Sequence, residues 1–217
     1  MKIGGPTRVE GAMSRRLCLF ALALVLFAAR PVSAQTAPTL ESVLARFARI
    51  EGLTLSFHEE KHIALLSTPL TTDGTLAYAR PGRLARRAGG QIVLIDGATL
   101  RMSDGGHEQH IDLASQPIVR SFVDSFRAFL AGDRAAIEQS YTIGFTTSAT
   151  GWAITLTPRA APLTQFLARI EFRGHGDALD TMRMSETSGD TTTTTFSNVD
   201  DHHRFTSDES ARVFSLR

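Results

Sequence analysis

Cysteine is nearly missing from this 217-residue chain, and the one copy, Cys18, sits in an apolar run near the amino terminus. A disulfide scaffold is thereby excluded, and a thiol nucleophile with it once that run is removed. Charge of one sign is lacking too, with 23 Lys and Arg against 22 Asp and Glu. A nucleic-acid binder would carry a basic excess. No apolar stretch reaches the ~20 residues that a membrane-crossing helix needs, since the longest runs only from Leu17 to Ala29. Missing as well are a G-x-S-x-G elbow, a phosphate-binding loop and a repeat of about 20 to 50 residues. Those absences remove common hydrolase, nucleotide-binding and solenoid readings.

What is present begins with an export signal. Arg15-Arg16, the apolar run, and then Pro31 and Val32-Ser33-Ala34 are the basic region, core and small-residue site of a secretory signal peptide. Cleavage after Ala34 is expected, leaving residues 35–217 as a single domain in the periplasm. Met13 is an alternative start, because residues 1–12 add nothing that a signal needs. Cys18 lies mid-run, the wrong place for lipidation. Removing the signal takes five of the 23 basic residues and one of the 22 acidic ones, so the mature chain is mildly acidic at −3. The expectation is an exported, monomeric protein without a cofactor and without a nucleic-acid partner.

Thr39 is placed to cap a helix whose Leu40, Val43, Leu44, Phe47 and Ile50 share one face. From Leu53 the pattern changes to alternation. Leu53, Leu55 and Phe57 read as a strand, Ile63 to Leu66 continues the ladder, and Pro69 to Arg87 forms two strands around Pro81-Gly82. Proline fixes φ and glycine tolerates φ > 0, so a type II turn is expected there. Gln91 to Leu113 reads as further hairpins around Asp96-Gly97 and Asp104-Gly105-Gly106. Ser115 to Leu130 then carries a broad apolar stripe, Ile118, Val119, Phe122, Val123, Phe126, Phe129 and Leu130, at helical spacing. Pro117 suits its first turn and Gly132 its end, and Asp133 to Gln139 adds a further turn. Strands resume around Tyr141, Trp152, Ile170 and Met182-x-Met184 and end at Phe196. The tail from Asp200 is polar, with Phe205 and Val213-Phe214 as anchors. These residues predict an α+β fold, a strongly curved antiparallel sheet closed over by helices.

Several of these pieces together resemble the LolA/LolB family of periplasmic lipoprotein carriers. They are Phe57 with Glu59 and Lys61, the corner Leu76-Ala77-Tyr78-Ala79-Arg80-Pro81, Asp96-Gly97, the strand Gly151 to Pro158, and Gly189-Asp190 before a Thr-rich strand ending at Phe196. The resemblance spans Leu40 to Phe196. It implies an incomplete, unclosed β-barrel under an α-helical lid, no enzymatic activity, and a cavity for the acyl chains of lipid-modified cargo. Leu55, Phe57, Leu76, Tyr78, Leu84, Ile154, Phe172 and Met182 would line it from the sheet, and Phe122, Phe126 and Phe129 from the lid. Packing of an ordinary core is the alternative role for those phenylalanines. The resemblance also implies an inner-membrane donor, an outer-membrane acceptor, and a latch role for Arg80 through hydrogen bonds to lid carbonyls. One position departs from the family: Arg86 stands where many members have an aromatic residue. Another lipid cargo, a glycolipid or a polyene-type lipid, and an envelope-stress sensor on the same fold are therefore kept as alternatives.

Two charged constellations remain. Arg83, Arg86 and Arg87 are candidates for docking a lipid head group or an acidic partner surface, and an edge kept soluble by charge is the plainer reading. His58-Glu59-Glu60-Lys61-His62 matches H-E-x-x-H, which in a helix would make His58 and His62 zinc ligands and Glu59 a general base. Following Leu53, Leu55 and Phe57, the segment reads instead as strand, where the two histidines stand about 13 Å apart. No metal is therefore expected. His202-His203 reads as a solvated cluster.

Overall fold

The structure, a computed structural model, describes residues 37–216. The expected export signal lies outside them. Thr39 caps α1 (Leu40–Phe47) through a capping box: its hydroxyl accepts from the Ser42 amide and the Ser42 hydroxyl accepts from the Thr39 amide. Six strands follow as a meander: β1 (Gly52–His62), β2 (Leu70–Ala79), β3 (Arg83–Ala88), β4 (Gln91–Asp96), β5 (Thr99–Ser103) and β6 (Glu108–Asp112). Two helices come next, α2 (Pro117–Leu130) and α3 (Arg134–Ser140). A second meander runs through β7 (Tyr141–Ser148), β8 (Gly151–Pro158), β9 (Leu167–His175), β10 (Ala178–Glu186) and β11 (Thr191–Asp200), and α4 (Ser207–Val213) ends the described chain.

Antiparallel pairing of β1 with β11 joins the two meanders into one 11-stranded sheet, ordered β6-β5-β4-β3-β2-β1-β11-β10-β9-β8-β7. β6 and β7 are its free edges, so the barrel is unclosed. The sheet is nevertheless strongly curved. Val123 of α2 shares a buried cluster with Leu100 of β5, while Phe129, less than two turns on, stacks on Phe172 of β9. In a flat sheet β5 and β9 would lie roughly 34 Å apart at ~4.8 Å per strand. Only a sheet wrapped round α2 brings both within reach. One source of bending is a bulge in β11, where Thr54 faces Asp200 but Ser56 faces Ser197. Asn198 adopts φ +51° inside it.

Leu53, Leu55, Phe57, Tyr78, Leu84, Ile154, Leu156 and Phe172 face the concave side and form one core with α1, α2 and α3. Pro117 opens α2 at a position that needs no amide hydrogen. Gly132 turns the chain into α3 at φ +64°, and a Cβ there would collide with the Leu44 carbonyl oxygen. The helical lid and the hairpins thus follow the sequence pattern closely.

Three local expectations are corrected. Ile63 to Leu66 do not extend the ladder, because β1 ends at His62 and the chain turns away, with the Ala64 amide held by Asp190 at 2.9 Å. Gly82 is not among the glycines of positive φ, and the Arg80-Pro81 peptide bond is cis. Gly82 serves close approach instead, since a Cβ there would come within 3.1 Å of Arg127 Nε. The tail does not carry the solvated cluster expected at His202-His203, since Asp200 and Glu209 hold His203. Phe205, Val213 and Phe214 do anchor the tail, on the outer face of the sheet against Ala77, Ala85 and Leu94, and between them runs α4.

Arg83 and Arg87 hold that tail. The Arg83 guanidinium lies 4.4 Å from the centre of the Phe214 ring and donates to Ser210 Oγ at 2.9 Å. Arg87 donates to the carbonyls of Val213 at 3.0 Å and Ser215 at 2.7 Å, at the helix end where a cation is favoured. His203 bonds Asp200 at 3.1 Å and Glu209 of α4 at 2.9 Å. Desolvation lowers its pKa, but hydrogen bonds and charge from the two carboxylates outweigh it, so the net shift is upward from 6.5. A raised folded pKa gives stability that is present below the unfolded value and lost as pH rises through the folded one. Amide exchange in residues 207–213, corrected for its intrinsic pH dependence, is expected to quicken as pH rises from 6.5 through that raised value, to level off above it, and to lose this dependence in His203→Gln. Equal protection across the range in the native chain would refute it.

Candidate functional site

Beneath the helices the concave face is not completely filled. A cavity of about 160 Å3 lies between α1, the end of α2, and β1, β2, β9, β10 and β11. Leu53, Leu55, Leu76, Phe126, Phe129, Phe172, Leu179 and Phe196 make its walls, and Arg46, Asp177 and Asp201 its polar mouth. Arg46 bridges both aspartates, Asp177 at 3.0 Å and Asp201 more closely. A second, smaller cavity of about 20 Å3 continues along α2, lined by Phe122, Met182 and Met184 among others. Phe126, Phe129 and Phe172 border both. The rings of Phe129 and Phe172 stack with centroids 3.8 Å apart and planes 10° from parallel.

Seven of the eleven expected lining residues border a cavity: Leu55, Leu76, Phe122, Phe126, Phe129, Phe172 and Met182. Phe57, Tyr78, Leu84 and Ile154 are packed in the adjoining core. For Tyr78, burial pushes the phenol pKa up from 10.0. Sequence reasoning missed Arg46, Phe47, Ile50, Leu179, Phe196 and the two mouth aspartates. The helical stripe of α1 and the alternation ending at Phe196 contained part of that signal. Asp177 and Asp201 carried none, being turn residues in a polar stretch.

Two arginines tie the helices to the sheet. Arg80 donates from Nη2 to the Ala48 carbonyl at 2.7 Å and from Nε to the Ile50 carbonyl at 3.1 Å. It therefore holds the end of α1, whereas the implied latch was on carbonyls of the lid helix across residues 118–130. Arg127, on α2, donates to the Gly82 carbonyl at 3.2 Å and the Gly97 carbonyl at 2.7 Å. α2 is thus fastened by its own arginine to two hairpin turns.

A family model described as outer membrane lipoprotein carrier protein LolA-like matches residues 32–212. The chain belongs to this LolA-like family. Among solved structures, it is similar to a LolA superfamily protein from Nitrosomonas europaea, at 12% identity and TM-score 0.44, covering 80% of this chain and 97% of that one. It is also similar to a DUF1329 family protein from Desulfovibrio piger, at 12% identity and TM-score 0.45, covering 82% of this chain and 95% of that one. Among curated protein sequences, none is significantly similar to it.

The remaining candidates of this LolA-like chain separate by strand alternation. Arg83 and Arg87 face outward to the tail, whereas Arg86 faces the concave side, 4.8 Å over the Phe57 ring and 3.3 Å from Glu59. The three arginines thus form no single patch. His58 and His62 lie in β1, where His58 pairs with Asp73 at 2.8 Å and His62 with Glu60 at 2.7 Å. The helix that H-E-x-x-H chemistry requires is replaced by strand, and two ligands about 13 Å apart cannot share one zinc. Glu59, which would be the base, is committed to Arg86.

Proposed function

We propose that the mature chain is a periplasmic, non-enzymatic carrier that shelters acyl chains of lipid-modified cargo and passes them toward the outer membrane. The observation that carries this reading is the apolar cavity under α1 and α2, bordered on one side by aromatic and methionine side chains. Its 160 Å3 is below the ~300 Å3 of ordinary ligand pockets. On this reading an acyl chain has to widen the cavity as it enters. Full burial of some fifteen methylenes, at about 0.8 kcal/mol each, would gain about 12 kcal/mol and make release slow. A lid that costs a few kcal/mol to open offsets part of that gain and favours handover to a better site. On this reading residues 1–34 are the export signal, and a donor at the inner membrane and an acceptor at the outer membrane are the partners.

Native mass spectrometry of protein purified from the periplasm tests the proposal. A stoichiometric lipid or lipopeptide adduct is expected. Protein that is always recovered free of lipid, or that retains its signal in the membrane fraction, would refute it.

Arg127 and Arg80 supply the fastening that such a lid needs. Charge-assisted hydrogen bonds contribute about 1.5 to 3 kcal/mol. Arg127→Leu should therefore speed amide exchange across residues 118–130 by roughly thirtyfold, on the order of 2 kcal/mol. Arg80→Leu should act on the end of α1 instead. Unchanged exchange in both variants would remove both arginines as latches.

The concave position of Arg86 favours a second reading of the cargo, a lipid with a polar head such as a glycolipid.

A further inference from the structure

Along β1 the concave wall changes character. Leu53, Leu55 and Phe57 are followed on the same face by Glu59 and Lys61. Across β11, Thr194 stands opposite Glu59 and Thr192 opposite Lys61, and Met182 and Met184 of β10 continue those two rows into the smaller cavity. Two ion pairs frame the strip: Arg86 with Glu59 at 3.3 Å and Lys61 with Glu186 at 3.1 Å. On its floor Thr194 is only 4% exposed, and its Oγ1 finds no hydrogen-bond partner among the described residues. A buried hydroxyl without a partner is rare, because its lost hydration is not replaced.

From this juxtaposition we infer that the strip of Glu59, Lys61, Arg86, Glu186 and Thr194 is a head-group subsite for a neutral head rich in hydroxyl or amide groups. The inference rests on the carrier reading, with the chain of the same amphiphile in the apolar cavities. The charges select the class. Each cation of the strip already has a carboxylate beside it, so an incoming anion meets Glu59 or Glu186, and an incoming cation meets Arg86 or Lys61. A neutral head with both donors and acceptors bonds to either pair without breaking it, and it completes Thr194 as it enters. Sugar hydroxyls and the peptide amides of a lipidated amino terminus share that chemistry.

Displacement of N-phenyl-1-naphthylamine by four twelve-carbon amphiphiles, each below its micelle concentration, tests the inference: dodecyl maltoside, a dodecanoyl dipeptide amide, dodecanoate and dodecyltrimethylammonium. The maltoside or the amide should displace the probe at about tenfold lower concentration than either ion, the worth of one or two hydrogen bonds. A lead of the maltoside points to a sugar head and a lead of the amide to a lipopeptide head, and either result supports the subsite. Thr194→Val, and Arg86→Met combined with Glu59→Met, should bring all four within about twofold while the naphthylamine itself binds as before. Thr194→Val should melt no lower than the native chain, since it removes an unpartnered hydroxyl. Equal displacement by all four in the native chain would overturn the subsite and leave the carrier standing. So would a ranking that changes in Asp201→Asn at the cavity mouth but not in the strip variants. Failure of every amphiphile to displace the probe would overturn both.

Discussion

Phe129→Ala is expected to cost about 3–5 kcal/mol of folding stability, the usual loss for a large aromatic removed from a core. Phe129 is 1% exposed, stacked on Phe172 and packed against Phe47 at a centroid distance of 4.8 Å. It therefore joins α2 to α1 and to β9 at one point. For a domain of this size each kcal/mol moves the melting temperature by about 2–4 °C. Calorimetry should accordingly show a fall of about 10 °C. A fall of less than about 3 °C would mean that α2 is held mainly by its ends, through Arg127, and not by its aromatic face.

Phe126→Asp should abolish binding of a fluorescent fatty-acyl probe while the chain still folds. Phe126 is half-buried and borders both cavities, so an aspartate there can still reach solvent in the empty protein. With an acyl chain in place the same carboxylate would be left in hydrocarbon without a partner, a large cost. The asymmetry separates binding from stability: titration should show at least a hundredfold loss, and the melting temperature should fall much less than in Phe129→Ala. Probe binding at native strength in a folded Phe126→Asp chain would place the cargo elsewhere.

Much of the fold was legible because its signals are local. Thr39 with its apolar stripe marked α1, Pro117 and Gly132 bracketed α2, and alternation around Asp96-Gly97 and from Gly151 to Pro158 marked strands. α4 was hidden because Ser207–Val213 carries its apolar anchors at and beyond its end, so no helical stripe shows. Arg127 was hidden for a different reason. A cation on a helix ordinarily faces water, and its acceptors, Gly82 and Gly97, lie 45 and 30 residues earlier in hairpin turns. The site was legible in its aromatic half, where Phe122, Phe126 and Phe129 repeat at helical spacing. Its polar half depends on register: that Glu59 meets Thr194 and not a neighbour follows from a pairing between the first and last strands, which no local pattern encodes.

The free edges of β6 and β7 set the mechanics of the whole trough. In a closed barrel the bore is fixed by strand number and stagger. A sheet whose two edge strands, here β6 and β7, are not bonded together has no such constraint, and its bore follows from whatever it is wrapped around. On the carrier reading, girth would then be a property of the contents: a thicker cargo would uncurl the sheet slightly and a thinner one let it tighten, with no ladder hydrogen bond having to break in either direction.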